Sequence, residues 1–382
     1  MLLSNLKEDR IILFCTVALV GFGLVMVYSA SSVMAMKQYG DSGWFLKRQA
    51  VWAAGGLAAM FMLWRVDFRK LGRFTPLLMF GTLLLLLLAL VPGIGAEING
   101  ARRWIRIAGL SFQPSEFAKP AILLFLAASL ARRRDRLTDF WNGVVPYLMV
   151  CGVFLLLIAL EPDFGTAASI GMAVIVMLYV AGARLKHLAM VGLLASPLVV
   201  YQIFFVGFRK KRIDVFLDPW SDRLGTGFQT IQSFLAFGSG GLTGLGLGEG
   251  RQKLLFLPEP HNDFIFSVIG EELGLAGAVV TASAFALFTL CGFRLALRCE
   301  DGSGRLLAFG VTFMLGIQAV INMGVATGLF PNKGMPLPFI SAGGSSLFVA
   351  LVCVGLLLSV SRTFKSDSGG QGPELSAAGG RA

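Results

Sequence analysis

Asp263-Phe-Ile-Phe-Ser-Val-Ile-Gly-Glu271-Glu272-Leu-Gly-Leu-Ala-Gly-Ala-Val-Val280 opens an apolar run that continues to Gly292. Such a run exceeds the roughly 20 residues that carry a helix across a bilayer, yet carboxylates stand at its entrance. Membrane helices seldom carry them unless function requires it. Comparable apolar stretches recur at 11–31, 49–64, 76–92, 117–131, 143–160, 165–182, 187–207, 305–329 and 343–361. With 264–292 they make about ten predicted spans, of which 49–64 and 117–131 are the shortest. The first is too long for a cleavable signal, and no small-residue cleavage site follows it.

Composition agrees: 55% of the chain is hydrophobic and 14% charged, with a mean hydropathy of +0.74. This excludes an ordinary soluble domain. Eighteen of the 33 Lys and Arg residues fall on the side that holds the N-terminus, against eight opposite once the long loop 208–263 is set aside. By the positive-inside rule both termini are cytoplasmic. The net charge of +11 then reflects topology and anionic lipid rather than nucleic acid. The expected fold is an all-α polytopic membrane protein, with a large extracytoplasmic loop between its seventh and eighth helices. Residues 1–365 form one transmembrane domain and 366–382 a disordered cytoplasmic tail rich in Gly, Ser and Ala. Cys15, Cys151, Cys291, Cys299 and Cys353 have no paired spacing and read as small buried hydrophobes.

The polar islands fall on the outer side. The loop 208–263 is too apolar for disorder, and 225–237 within it reads as an interfacial helix. Arg209-Lys-Lys-Arg212 either snorkels to headgroups or meets an anionic, lipid-linked substrate. Between Gly238 and Gly250, seven of thirteen residues are glycine. The segment either offers backbone N–H groups to a pyrophosphate or makes a tight turn against helices. With no GxxxxGK[ST] sequence, no nucleotide is expected. Asp263 either caps the eighth span or acts as a general base toward an attacking hydroxyl. At 100° per residue only Glu271 could share its face, so Glu272 is assigned to pairing with a neighbouring helix. His261 reads as an interfacial hydrogen-bonder.

Asn99-Gly-Ala-Arg102-Arg103-Trp104-Ile-Arg106 brings external positive charge that, with Lys333, could line a cavity for phosphate. Lys119, in Pro114-Ser-Glu116-Phe-Ala-Lys119-Pro120, either pairs with Glu116 at i,i+3 or reaches substrate. Glu161 and Asp163 either cap the sixth span or hold a divalent cation. Ser345 lies in the late run from Lys333 to Ser346.

Taken together, these islands resemble the SEDS (shape, elongation, division and sporulation) family of peptidoglycan polymerases. The likeness runs from Val25-Met-Val-Tyr-Ser-Ala-Ser31 to Gly343-Gly-Ser-Ser346. It rests on NGARRW, QPSEFAKP, EPDFGTA, FLDPWSDRLGTGFQ, GSGGLTGLGLGEG, LPEPHNDFIFSVIGEELG and KGMPLPFISAGGSSL in the family's order. The cell-division branch fits better than the elongation branch. Asn262 stands where the family usually has Thr, and Ala342 where it usually has Tyr, which removes an aromatic contact there.

The resemblance implies polymerisation of lipid II, a disaccharide-pentapeptide on undecaprenyl pyrophosphate, at the outer face of the bacterial inner membrane. Asp263 would deprotonate the acceptor hydroxyl, and attack would invert the anomeric carbon. Arg102, Arg103, Lys119, Lys253, Lys333 and Ser345 would meet substrate, supported by Glu116, Glu161, Asp163, Glu259, His261 and Glu271. The implied companions are a divalent cation (Mg or Mn), the nascent glycan strand, a class B penicillin-binding protein that supplies the transpeptidase, and other division proteins at the septum. The rival reading is a transporter that flips lipid II. Outward clustering of the polar motifs favours the enzyme, because a carrier also needs polar groups along an inward path.

Overall fold

The computed structural model describes residues 8–98, 101–107, 110–204, 207–225, 227–252 and 261–369. Each predicted span is a helix: α1 (Glu8–Tyr39), α2 (Trp44–Arg65), α4 (Thr75–Leu90), α5 (Pro114–Arg132), α6 (Val145–Leu160), α7 (Phe164–Ala181), α8 (Leu185–Phe204), α11 (Ile265–Arg298), α12 (Gly302–Ala326) and α13 (Gly344–Gly369). Seven of these regions are long and apolar enough to cross a bilayer by themselves, and α4 is a shorter apolar helix. A short α3 (Phe68–Arg73) joins α2 to α4, while α9 (Gly207–Leu217) and α10 (Phe228–Gly240) lie in the long outer loop. The expected tail begins later than residue 366, because α13 runs to Gly369; the rest of it lies outside the described residues. All five cysteines are free and buried.

The inner helices differ from the lipid-facing ones in how much of their apolar surface meets protein. Within α13's most apolar stretch 78% is buried, against 28% for α11. In lipid, helices associate by close packing rather than by hydrophobic transfer, and glycines at the contacts permit it. A Cβ on Gly355 of α13 would lie 2.9 Å from the Met60 backbone of α2, and one on Gly23 of α1 would lie 2.6 Å from the Phe339 carbonyl.

Two features of the outer end depart from the expectation. First, the polar island contains strands: β1 (Gly95–Ile98) pairs antiparallel with β2 (Ala101–Ile107), which pairs with β3 (Leu110–Phe112). This small sheet packs on α4 and α5. Second, the long loop contains α9 and α10, and α10 lies against α11 rather than free at an interface, with Ile231 and Ala236 buried. Ser233 of α10 donates to the Ala326 carbonyl and shares a hydrogen bond with Ser267, both at 2.5 Å.

α11 is broken at Gly274, whose φ of 65° and ψ of −164° interrupt the helix. A break inside a membrane protein leaves backbone groups that need partners, and the glycine-rich segment supplies them. Leu245 and Gly246 donate to the carbonyls of Glu271 and Glu272, while Leu275 and Ala276 donate to those of Gly241 and Leu242. Glycine is required for this approach, since a Cβ on Gly244 would come within 2.2 Å of the Glu272 carbonyl oxygen and its φ is +82°. Of the two readings of this segment, the tight turn against helices is the one formed. The amides of Leu245, Gly246 and Gly248 are spent on α11, and those of Gly244 and Glu249 on the turn itself.

Candidate active site

Asp263 lies half-buried two residues before α11. Its turn is held by three consecutive carbonyls. The His261 oxygen accepts from the Ala342 amide at 2.8 Å. The Asn262 oxygen accepts from Ser341 Oγ at 2.6 Å, and the Asp263 oxygen from Asn322 Nδ2 at 2.8 Å. Ser341 Oγ also accepts from the Leu337 amide, while Gln49 of α2 donates to the Ser341 carbonyl and accepts from the Gly343 amide. The late loop from Lys333 to Gly343 is therefore a cradle for the Asp263 turn. The Asp263 carboxylate stands over Gly334, where an added Cβ would lie 2.7 Å from Oδ2.

Lys333, the residue before that contact, reaches the start of α7. A Cβ on Gly165 would lie 3.1 Å from Lys333 Cε and 3.5 Å from Asp163 Oδ1, so lysine and carboxylate meet over one glycine. Burial holds the Lys333 ammonium below the usual lysine range; Asp163 opposes that shift and Arg212 adds to it. Arg212, from the basic run in α9, donates to the Asn332 carbonyl at 3.3 Å. Asp163 caps α7 through the Thr166 amide and accepts from Gln113 Nε2 at 2.6 Å and Ser115 Oγ at 3.3 Å. Ser345 is buried and accepts from the Gln113 amide at 3.3 Å.

Glu161, at the end of α6, is completely buried, and both its carboxylate oxygens lack a hydrogen-bond partner among the described residues; so does Arg103 Nε. Burial, with Asp163 adding, pushes Glu161 up to about 8 against the pull of Arg103. For a divalent cation these two carboxylates offer a partial fit. No three Asp, Glu, His or Cys side chains converge on one point among the described residues, but Glu161 has lone pairs to give. Magnesium commonly binds through one or two carboxylates together with substrate phosphates.

Several expected site residues are placed elsewhere. Arg102 is half-exposed on β2 and pairs with Glu97 across the strands at 3.1 Å, away from the cradle. Lys119 is 3% exposed and bonded to Glu116 at 2.7 Å inside the bundle. That is the i,i+3 alternative. Glu271 is turned to the glycine-rich segment, where it accepts from the amides of Arg251 at 2.7 Å and Gln252 at 3.2 Å. Glu272 accepts from Ser29 of α1 at 2.7 Å and from the Gly248 amide at 3.1 Å. Adjacent buried acids thus fasten neighbouring points of one loop, Gly248 and Arg251–Gln252. His261 is 2% exposed against the Phe45 ring, and burial pushes its imidazole down to about 4, leaving it neutral. Lys253 and Glu259 lie outside the described residues. Sequence reasoning missed Asn322, Gln49 and Ser341. Amides inside or beside apolar runs are the signal that marks the first two.

The chain is similar to known proteins along nearly its whole length. Residues 9–366 match the FTSW_RODA_SPOVE family, described as "Cell cycle protein". The probable peptidoglycan glycosyltransferase FtsW of Geobacter metallireducens is 49% identical over 365 residues, covering 94% of this chain and 97% of that one. Stage V sporulation protein E of Bacillus subtilis is 44% identical, covering 93% and 97%. Among solved structures, a chain of a peptidoglycan synthase complex that coordinates polymerization and crosslinking superposes with a TM-score of 0.76 at 36% identity, covering 92% of this chain and 97% of that one. The rod shape determining protein RodA of Thermus thermophilus gives 0.68 at 34% identity, covering 92% and 95%.

Proposed function

The chain belongs to the FTSW_RODA_SPOVE family of cell cycle proteins, and from that premise we propose that it is a peptidoglycan glycosyltransferase that polymerises lipid II during cell division. It is a multi-pass membrane protein. The reaction is placed at the outer face of the bacterial cytoplasmic membrane, at the septum, with both termini cytoplasmic. The observation that carries the reading is the Asp263 carboxylate standing over Gly334, next in sequence to Lys333, at the end of the bundle where the polar islands gather.

In this mechanism Asp263 accepts the proton of the acceptor sugar's 4-hydroxyl as that oxygen bonds to the donor's anomeric carbon. The bond from that carbon to the pyrophosphate oxygen breaks, its electron pair leaves with the lipid pyrophosphate, and the anomeric configuration inverts. Lys333, backed by Arg212, is the cation placed to meet the developing negative charge. Arg103 adds positive charge beside Glu161. If a divalent cation takes part, Glu161 and Asp163 would hold it, and it would supply further neutralisation of the pyrophosphate. The partner proposed is a single-span class B penicillin-binding protein that crosslinks the new strand. The relatives' names and the synthase complex support this choice.

The test is polymerisation of labelled lipid II by the purified protein with that partner. A positioned general base contributes about 10²–10⁴-fold, so Asp263→Ala should lose at least about 100-fold in kcat while folding normally. Polymer formed at the wild-type rate by Asp263→Ala would refute the base. Lipid II crossing the bilayer without polymer in the wild type would favour transport instead.

A further inference from the structure

Asn322 sits in the outer half of α12, 1% exposed, in a stretch otherwise apolar from Ala319 to Val325. Burying an amide costs free energy unless its hydrogen bonds are made. Its two N–H groups are spent on two different segments, the Asp263 carbonyl at 2.8 Å and the Met335 carbonyl at 2.7 Å. Met335 follows Gly334, the residue under the Asp263 carboxylate. One carboxamide therefore holds, at once, the backbone of Asp263 and the backbone of the loop beneath its side chain.

The other restraints on this turn do not duplicate it. Ala342 and Ser341 grip His261 and Asn262 from the far end of the same loop. Ser341 Oγ also accepts from the Leu337 amide and so ties the turn to this loop at Leu337, whereas Asn322 reaches the Asp263 carbonyl itself and Met335, next to Gly334. Gly334 has no side chain with which to fix its own position, and the Asp263 carboxylate above it belongs to a half-buried residue. Without the amide, the two segments keep the Ser341 link at Leu337 and lose the one beside Gly334.

We propose that Asn322 is a positioning residue for the glycosyl transfer, setting the separation and relative height of Asp263 and the Lys333–Gly334 peptide. The catalytic part of this inference rests on Asp263 being the base. The amide itself touches no substrate and moves no proton. Its effect falls on turnover rather than on substrate affinity, because it changes where the carboxylate stands relative to the bound hydroxyl. A misplacement of about 1 Å in a catalytic geometry is worth about 100-fold in rate.

Two measurements test it. The first compares wild type, Asn322→Ala and Asn322→Asp, each with the penicillin-binding partner, in steady-state lipid II polymerisation corrected for folded protein. Asn322→Asp preserves side-chain size while removing the NH2 donors, so it serves if the alanine variant fails to fold. The expected result is a fall in kcat of about 10- to 100-fold, with KM for lipid II within about twofold and the pH dependence of kcat unchanged in the alanine variant. Wild-type kcat per folded molecule in either variant overturns the proposal, as does a rise in KM that accounts for the whole loss.

The second measurement does not use activity. Asp263→Cys and Gly334→Cys are introduced together, with and without Asn322→Ala, and disulfide yield under mild oxidation is read. The pair should form readily with Asn322 present and several-fold more slowly without it. Equal yields overturn the positioning claim even where the enzyme is inactive. A yield that depends on Asn322 in a protein that never polymerises lipid II would leave the register intact and remove the functional reading instead.

Discussion

Replacing Gly334 with alanine perturbs the base without touching it. The added Cβ would stand 2.7 Å from Asp263 Oδ2, whereas ordinary contact begins at 3.4 Å, so the carboxylate must retreat by about 0.7 Å. Gly334 is not at positive φ, and alanine there meets the clash alone. Taking about 100-fold in rate for each 1 Å of misplacement, the retreat is worth about 10- to 30-fold in kcat, or about 1.4–2 kcal/mol of barrier. The assay is lipid II polymerisation with the partner present, beside a melting curve for each variant. Gly343→Ala is the matched control, since its nearest neighbours are Ser346 Cβ at 3.5 Å and Pro336 Cβ at 3.9 Å. Gly334→Ala should slow turnover and leave the melting curve close to wild type. Full turnover in Gly334→Ala would show that the carboxylate's position over this glycine does not matter to the reaction.

Two further outcomes follow from buried charge. Lys119→Ala leaves Glu116 buried and unpaired, which typically costs about 3–5 kcal/mol; folded yield and melting temperature should drop, and a second change, Glu116→Gln, should recover much of the loss. An unaltered melting curve for Lys119→Ala would return the lysine to the substrate. Glu161 is held well above the carboxylate range by burial, so the folded state keeps a proton that the unfolded chain releases. Its contribution to stability is therefore greatest below the unfolded value near 4.5 and declines as pH rises toward about 8. Thermal melting from pH 5 to pH 8.5 should consequently fall more steeply for wild type than for Glu161→Gln, and parallel curves would contradict a buried, proton-holding Glu161.

The helices were legible because a bilayer imposes a length, and ten apolar stretches meet or approach it. Asp163 was legible as a cap from its place before Phe-Gly-Thr, and the Lys119–Glu116 pair from its spacing. The sheet was missed although Asn-Gly is a strong hairpin signal; three short strands between long apolar runs read as a mere polar island. Helical phase correctly separated Glu271 from Glu272, but it could not supply the break at Gly274. That break let both acids fasten the same loop. The pinning of Asp263 depends on backbone carbonyls 59 and 79 residues away from their side-chain donors. Carbonyls carry no identity in sequence, and no spacing rule reaches that far.

The interruption at Gly274 has a bearing on bilayer thickness. A continuous helix from Ile265 to Arg298 would transmit any change of tilt to its outer end, and membrane helices adjust to thicker or thinner lipid chiefly by tilting. Here the glycine-rich loop is fastened to both sides of Gly274, accepting from the amides of Leu275 and Ala276 and donating to the carbonyls of Glu271 and Glu272, while Glu272 also holds α1. A change of tilt in α11 would therefore be shared with the glycine-rich loop rather than passed along one unbroken helix to the turn that bears the carboxylate.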